Sequence, residues 1–148
     1  VSDVTFGSLS GLLRQADRLS RSELGRPGAL VTLREATGSA SELLKALSHE
    51  TRLTVLCLLS LGEMSVSEIE SLVSLPQATL SQQLARLRLE GLVSTRREGR
   101  LIHYRLASKE VHALVEAMSA VLSLPVGEAL EQIVNAERQR LAALNGPA

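Results

Sequence analysis

The sequence predicts a mainly α fold carrying a small two-stranded β-wing. Composition is the first reason: thirty of the 148 residues are leucine and only Phe6 and Tyr104 are aromatic, which favours helices over sheets. The second is a change of hydrophobic period. Apolar residues recur every three or four positions on both sides of residues 92–106, where β-prone residues flank a single glycine, Gly99.

Each element has its own signal. Residues 8–24 place Leu9, Leu12, Leu13, Ala16 and Leu19 at helical intervals opposite Arg14, Asp17, Arg18 and Arg21. Residues 25–39 hold Gly25, Pro27, Gly28 and Gly38 and read as a linker, with a short ordered piece over 31–35. A helix follows from about Ser41 with Leu43, Leu44 and Leu47 facing inward, then a second over 50–61 that Gly62 stops. Ser65 precedes Glu68 by three residues, the spacing of a capping box, and starts a third helix. Pro76 opens a fourth, with Leu80, Leu84 and Leu87 as its buried stripe and Gly91 as its end.

Segments 92–97 and 101–106 then read as strands joined by a tight turn at Glu98-Gly99. Helical spacing returns over 108–123 through Val111, Leu114, Val115, Met118 and Leu122. Pro125 breaks it before a last amphipathic helix over 126–144, carrying Leu130, Ile133, Val134, Glu137 and Leu141. Three segments result: an N-terminal helix and linker (1–38), a patterned core (39–123) and a C-terminal helical extension (124–148).

Sixteen basic and sixteen acidic side chains give a formal charge of zero, but they are unevenly spread. Between residues 76 and 105 six arginines (Arg86, Arg88, Arg96, Arg97, Arg100 and Arg105) face two acids, Glu90 and Glu98. Over 41–75 five glutamates face Lys45 and Arg52. Arginine suits two-pronged contact with phosphate and guanine better than lysine does. Two aromatics cannot build a stacking platform for single strands. The single Cys57 forms no intramolecular disulfide and no thiolate cluster. The longest apolar runs are far short of a bilayer span, and the first eleven residues lack the basic start of a signal peptide. A cytoplasmic protein that uses no membrane is therefore expected.

A short helix, a tight turn, a helix with an uncharged polar outer face and a basic hairpin follow the order of a winged helix-turn-helix. Gln77, Thr79, Ser81, Gln82 and Gln83 offer hydrogen-bonding groups to base edges, glutamine being able to pair with adenine. Arg86, Arg96, Arg97 and Arg100 would hold phosphates, the hairpin tip reaching the minor groove or the backbone beside it. A merely solvated helix face is the plain alternative, but such faces seldom avoid charge for so long.

The stretch LLKALSHETRLTVLCLL, followed by EMSVSEIESLVSLPQATLSQQLARLRLEGLVSTRREGRLIHYRL, resembles the ArsR/SmtB-type winged-helix repressors of bacteria. Within them it is most similar to the branch holding sulfide- and oxidant-responsive repressors and the rhizobial nodulation-gene repressor. The resemblance spans residues 41–123. It implies a homodimer joined through the N-terminal and last core helices, bound as a repressor to double-stranded DNA at an imperfect inverted repeat.

Metal sensing, common in that family, is not expected. Ser65 and Ser67 stand where the thiolate motif has cysteines, and serine hydroxyls are poor ligands for soft metals. Glu110 and His112 match one pair of the last-helix site, but the later positions fall on Ser123 and Val126, which leaves no closed tetrahedral set. No metal or cofactor is expected, and His112 reads as a surface or interface residue. Cys57 is a candidate thiol sensor by the resemblance; its lack of a second cysteine, at or beside Ser123, excludes an intramolecular disulfide switch, and inert packing is the more economical reading. The alternative function is a winged-helix protein-interaction or dimerisation module without an operator. An enzyme is not expected, because no glycine-rich nucleotide loop or catalytic histidine pair is present.

Overall fold

The computed structural model describes residues 28–146, so the helix expected over 8–24 lies outside the described residues. The observed order is α1 (Ala29–Leu47), α2 (Glu50–Leu59), β1 (Met64–Ser65), α3 (Val66–Val73), α4 (Gln77–Leu89), β2 (Val93–Glu98), β3 (Leu101–Leu106), α5 (Lys109–Val121) and α6 (Glu128–Leu144).

The core forms around α2, where Val55, Leu56, Cys57, Leu58 and Leu59 are all buried in succession. A helix apolar on every side belongs in the middle of a domain. Leu80, Leu84 and Leu87 of α4 meet it, as the spacing predicts, together with Ile69, Val111 and Val115. Ser65 caps α3 by the expected box: its hydroxyl accepts from the Glu68 amide at 3.2 Å, and its own amide donates to Glu68 Oε2 at 2.6 Å.

Five expectations need correction. Residues 29–39 are not a linker but the first half of α1, a 19-residue helix that runs through the boundary expected at residue 38. The breakers Gly25, Pro27 and Gly28 precede the helix, Gly28 being its N-cap, and one interior glycine, Gly38, is tolerated at a cost of about 1 kcal/mol. Leu44 does not face inward and is 60% exposed, because the side of α1 that meets the core carries Leu43, Ala46 and Leu47. Ile133 likewise points outward while Val134 is buried.

The wing, finally, has three strands rather than two. Met64 and Ser65 pair with Tyr104 and His103, giving an antiparallel sheet of order β1-β3-β2. Its hairpin turn is Gly99-Arg100, since Glu98 still pairs with Leu101. Gly99 alone of the two has positive φ, at 60°, the II′ pattern that matches the twist of the strands.

The last helix, α6, lies against α3. Val134 enters the core. Arg138 donates to Glu68 Oε1 at 3.0 Å and to the Glu63 carbonyl at 2.5 Å. Glu137 joins Ser71 and Arg140. Among the described residues no helix is long and apolar enough to cross a membrane.

Candidate nucleic-acid interface

Helix α4 begins at Gln77 after Pro76, and its inward residues fix what faces out. With Leu80, Leu84 and Leu87 buried, Gln77, Thr79, Ser81 and Gln82 are exposed. The sequence-predicted Gln83 is different. It is half-buried, and its Oε1 accepts from Arg52 Nη1 of α2 at 2.8 Å.

The expected phosphate-holding arginines also divide. Arg86 is exposed but paired along the helix with Glu90 at 2.7 Å. Side chains two apart on a strand share a face, so Arg96 points the same way as Glu98 and opposite to Arg97. Arg96 Nη1 meets Glu98 at 3.0 Å while its Nε donates to Glu63, just before β1, at 3.1 Å. These two carboxylates hold its guanidinium protonated even more firmly than usual, and Arg96 in turn keeps the Glu63 carboxyl below the ordinary carboxylate range. His103, on the same face across the ladder, lies 3.4 Å from Glu98. Arg97 and Arg100 are exposed and have no ion-pair partner among the described residues. The structure thus brings an uncharged polar helix face and two unpaired arginines at the hairpin end into one module, and withdraws Arg96 from it.

Sequence reasoning missed Arg52 and Glu63, which govern Gln83 and Arg96. They lie 31 and 33 residues from their partners, too far for any periodicity to link. Arg52 sits in a polar first turn with Glu50 and Thr51, so nothing in the sequence set it apart.

The ligand candidates fall elsewhere. Ser65 is occupied as the α3 cap. His112 is close to Ser60, whose carbonyl lies 3.0 Å from Nε2, so that nitrogen must carry the proton; Nδ1 faces Glu116 at 3.6 Å. Among the described residues no three His, Cys, Asp or Glu side chains gather into a metal-holding group. Cys57 is 9% exposed, and burial pushes its thiol up, partly offset by the nearby Ser119 hydroxyl of α5. Ser123, where the resemblance looked for a second thiol, sits just after α5 in a left-handed conformation, φ 52°.

Comparison with known proteins agrees with this architecture. The family model described as "Bacterial regulatory protein, arsR family" matches residues 49–95, from the start of α2 into β2. The transcriptional activator HlyU of Vibrio cholerae is 44% identical over 94 residues, which are 64% of this chain and 87% of that protein. The biofilm growth-associated repressor of Agrobacterium fabrum is 48% identical over 83 residues, 56% of this chain and 71% of its own. Among solved structures, the transcriptional repressor BigR from Xylella fastidiosa superposes with a TM-score of 0.56 at 42% identity, covering 60% of this chain and 91% of that one. With more than two thirds of each of these relatives aligned, and the aligned span holding α4 and the wing, the chain belongs to the ArsR family of bacterial regulatory proteins.

Proposed function

We propose that the protein is a homodimeric, sequence-specific DNA-binding transcriptional regulator that acts in the cytoplasm as a repressor on an imperfect inverted repeat. One observation carries the reading: α4 exposes Gln77, Thr79, Ser81 and Gln82, all uncharged, beside a wing that keeps Arg97 and Arg100 unpaired. Neutral donors and acceptors read base edges, and free guanidinium groups hold phosphates. Gln83, half-buried, borders this reading face, and Arg86 and Arg96 stand behind it as supporting residues. The family assignment makes the chain a regulator rather than an enzyme.

The dimer part rests on apolar surface. Leu30, Leu33 and Leu44 of α1 fall on one stripe of the helix and are 73%, 55% and 60% exposed; Val121 and Leu122 at the end of α5 are 82% and 57% exposed. Exposed leucines at heptad-like spacing mark a helix that packs on a partner. Two copies so joined would place their α4 helices about 34–36 Å apart, one turn of DNA. Repression then follows from occlusion of polymerase.

The test is selection of genomic fragments at fixed moderate salt with the full chain, alongside sedimentation to determine mass. Enrichment of a shared inverted repeat by a two-chain species is the expected outcome. Retention of no fragment above random DNA would instead support a protein-interaction module.

A further inference from the structure

We infer that Arg52 is a positioning residue for base reading, and that it makes Gln83 a reader of hydrogen-bond acceptors rather than of adenine. The inference rests on the DNA-binding reading above. Arg52 is half-buried on α2 and touches two other helices. Its Nε donates to the Ala46 carbonyl, its Nη2 reaches the Lys45 carbonyl at 3.4 Å, and its Nη1 donates to Gln83 Oε1 at 2.8 Å. Ala46 and Lys45 belong to the last turn of α1; Ser48 already donates to the Lys45 carbonyl, and Arg52 supplies the donor that the Ala46 carbonyl needs. One planar guanidinium thus fixes the end of α1, its own helix and the exposed helix α4 in a single geometry.

The chemistry of the pair settles which way the amide points. A guanidinium has only donors, so the Gln83 atom that faces it must be the oxygen. The Nε2 group is turned to the other side and, among the described residues, donates to no protein group. Gln83 lies one helical turn after Thr79 on the same side of α4, within the face proposed to read bases.

A free glutamine reads adenine with both ends: the oxygen accepts from N6 and the nitrogen donates to N7. Gln82 is exposed and keeps that option. Gln83 has its oxygen anchored on Arg52 and its two amide N–H donors without a protein partner among the described residues, which suits guanine O6 and N7 or thymine O4. Two adjacent glutamines therefore read different edges, and Arg52, which never needs to touch DNA, creates the difference.

The test selects bound sequences from a randomised duplex library at fixed salt with the full-length wild type, Arg52→Met and Gln83→Glu. The wild type is expected to favour guanine or thymine over adenine at one position of each half-site. Arg52→Met frees the amide and should raise adenine at that position by roughly tenfold, within the range for one bidentate pair. Gln83→Glu keeps a partner for Arg52 and should move the same position toward cytosine, whose N4 donates; it decides the case should Arg52→Met fail to fold. An unchanged base profile in the variants, or a wild type that prefers adenine at every such position, overturns the inference. If the wild type enriches no sequence at all, the DNA-binding reading itself falls.

Discussion

Replacing Arg97 with alanine is expected to weaken binding to all DNA sequences about equally and to reduce the salt slope by about one unit. Arg96→Ala should leave that slope nearly unchanged, because Glu63 and Glu98 already neutralise the cation; affinity titrations at several salt concentrations separate the two. The neighbours differ only through the two-residue period of β2, which sends one side chain toward the carboxylates and the other away. Periodicity made the strand legible but not the partner, since Glu63 precedes β1, the short strand that went unrecognised. Gln83 was legible as an exposed-face residue for the same local reason, and its capture by Arg52 was not. Cys57 offers a further check at this scale. With its thiol buried and pushed up, alkylation at pH 7 should be far slower in the native protein than in denaturant, as timed labelling followed by mass measurement will show.

The long first helix shows what composition hides. Gly38 looks like a breaker in sequence, yet a Cβ there would meet nothing within 4 Å. Gly38→Ala is expected to stabilise the protein by about 1 kcal/mol in denaturant titration, the reverse of what a linker glycine predicts. Helix propensity summed over 29–47 outweighs one glycine, and the helix ends instead at Ser48, where Arg52 meets the last carbonyls. The α3 cap was fully legible because its two partners are three residues apart. Ser65→Ala should cost about 1 kcal/mol and, by loosening Glu68, also weaken the Arg138 contact that holds α6. Limited proteolysis is expected to remove α6 faster in that variant. The position of α6 itself was beyond sequence reasoning: its period announced an apolar stripe but not that α3 would meet it.

At the scale of the whole molecule, acid should loosen the fold through its paired carboxylates. Arg140 and then Ser71 hold the Glu137 carboxyl down to about 2, and Arg96 depresses Glu63. A folded pKa below the unfolded one stabilises the protein above the ordinary carboxylate range, and that contribution is lost as pH falls from about 4.5 toward about 2. Melting temperature should therefore drop across this window, less steeply in Glu137→Gln. The change from a single pair is modest, because the groups are open to solvent and screened.

The ion pairs on the wing have a consequence for how the protein finds its site. If Arg97 and Arg100 of each protomer are the cations that reach phosphate, a dimer displaces roughly four counterions and its salt slope is roughly −4, against roughly −5 if Arg96, freed of Glu63 and Glu98, joined them. Random DNA would then hold the molecule only briefly. Glu63 and Glu98 thereby set a dwell time: they shorten each unproductive visit along the chromosome, and they let occupancy of the chosen site survive swings in cellular ionic strength that would strip a more cationic wing.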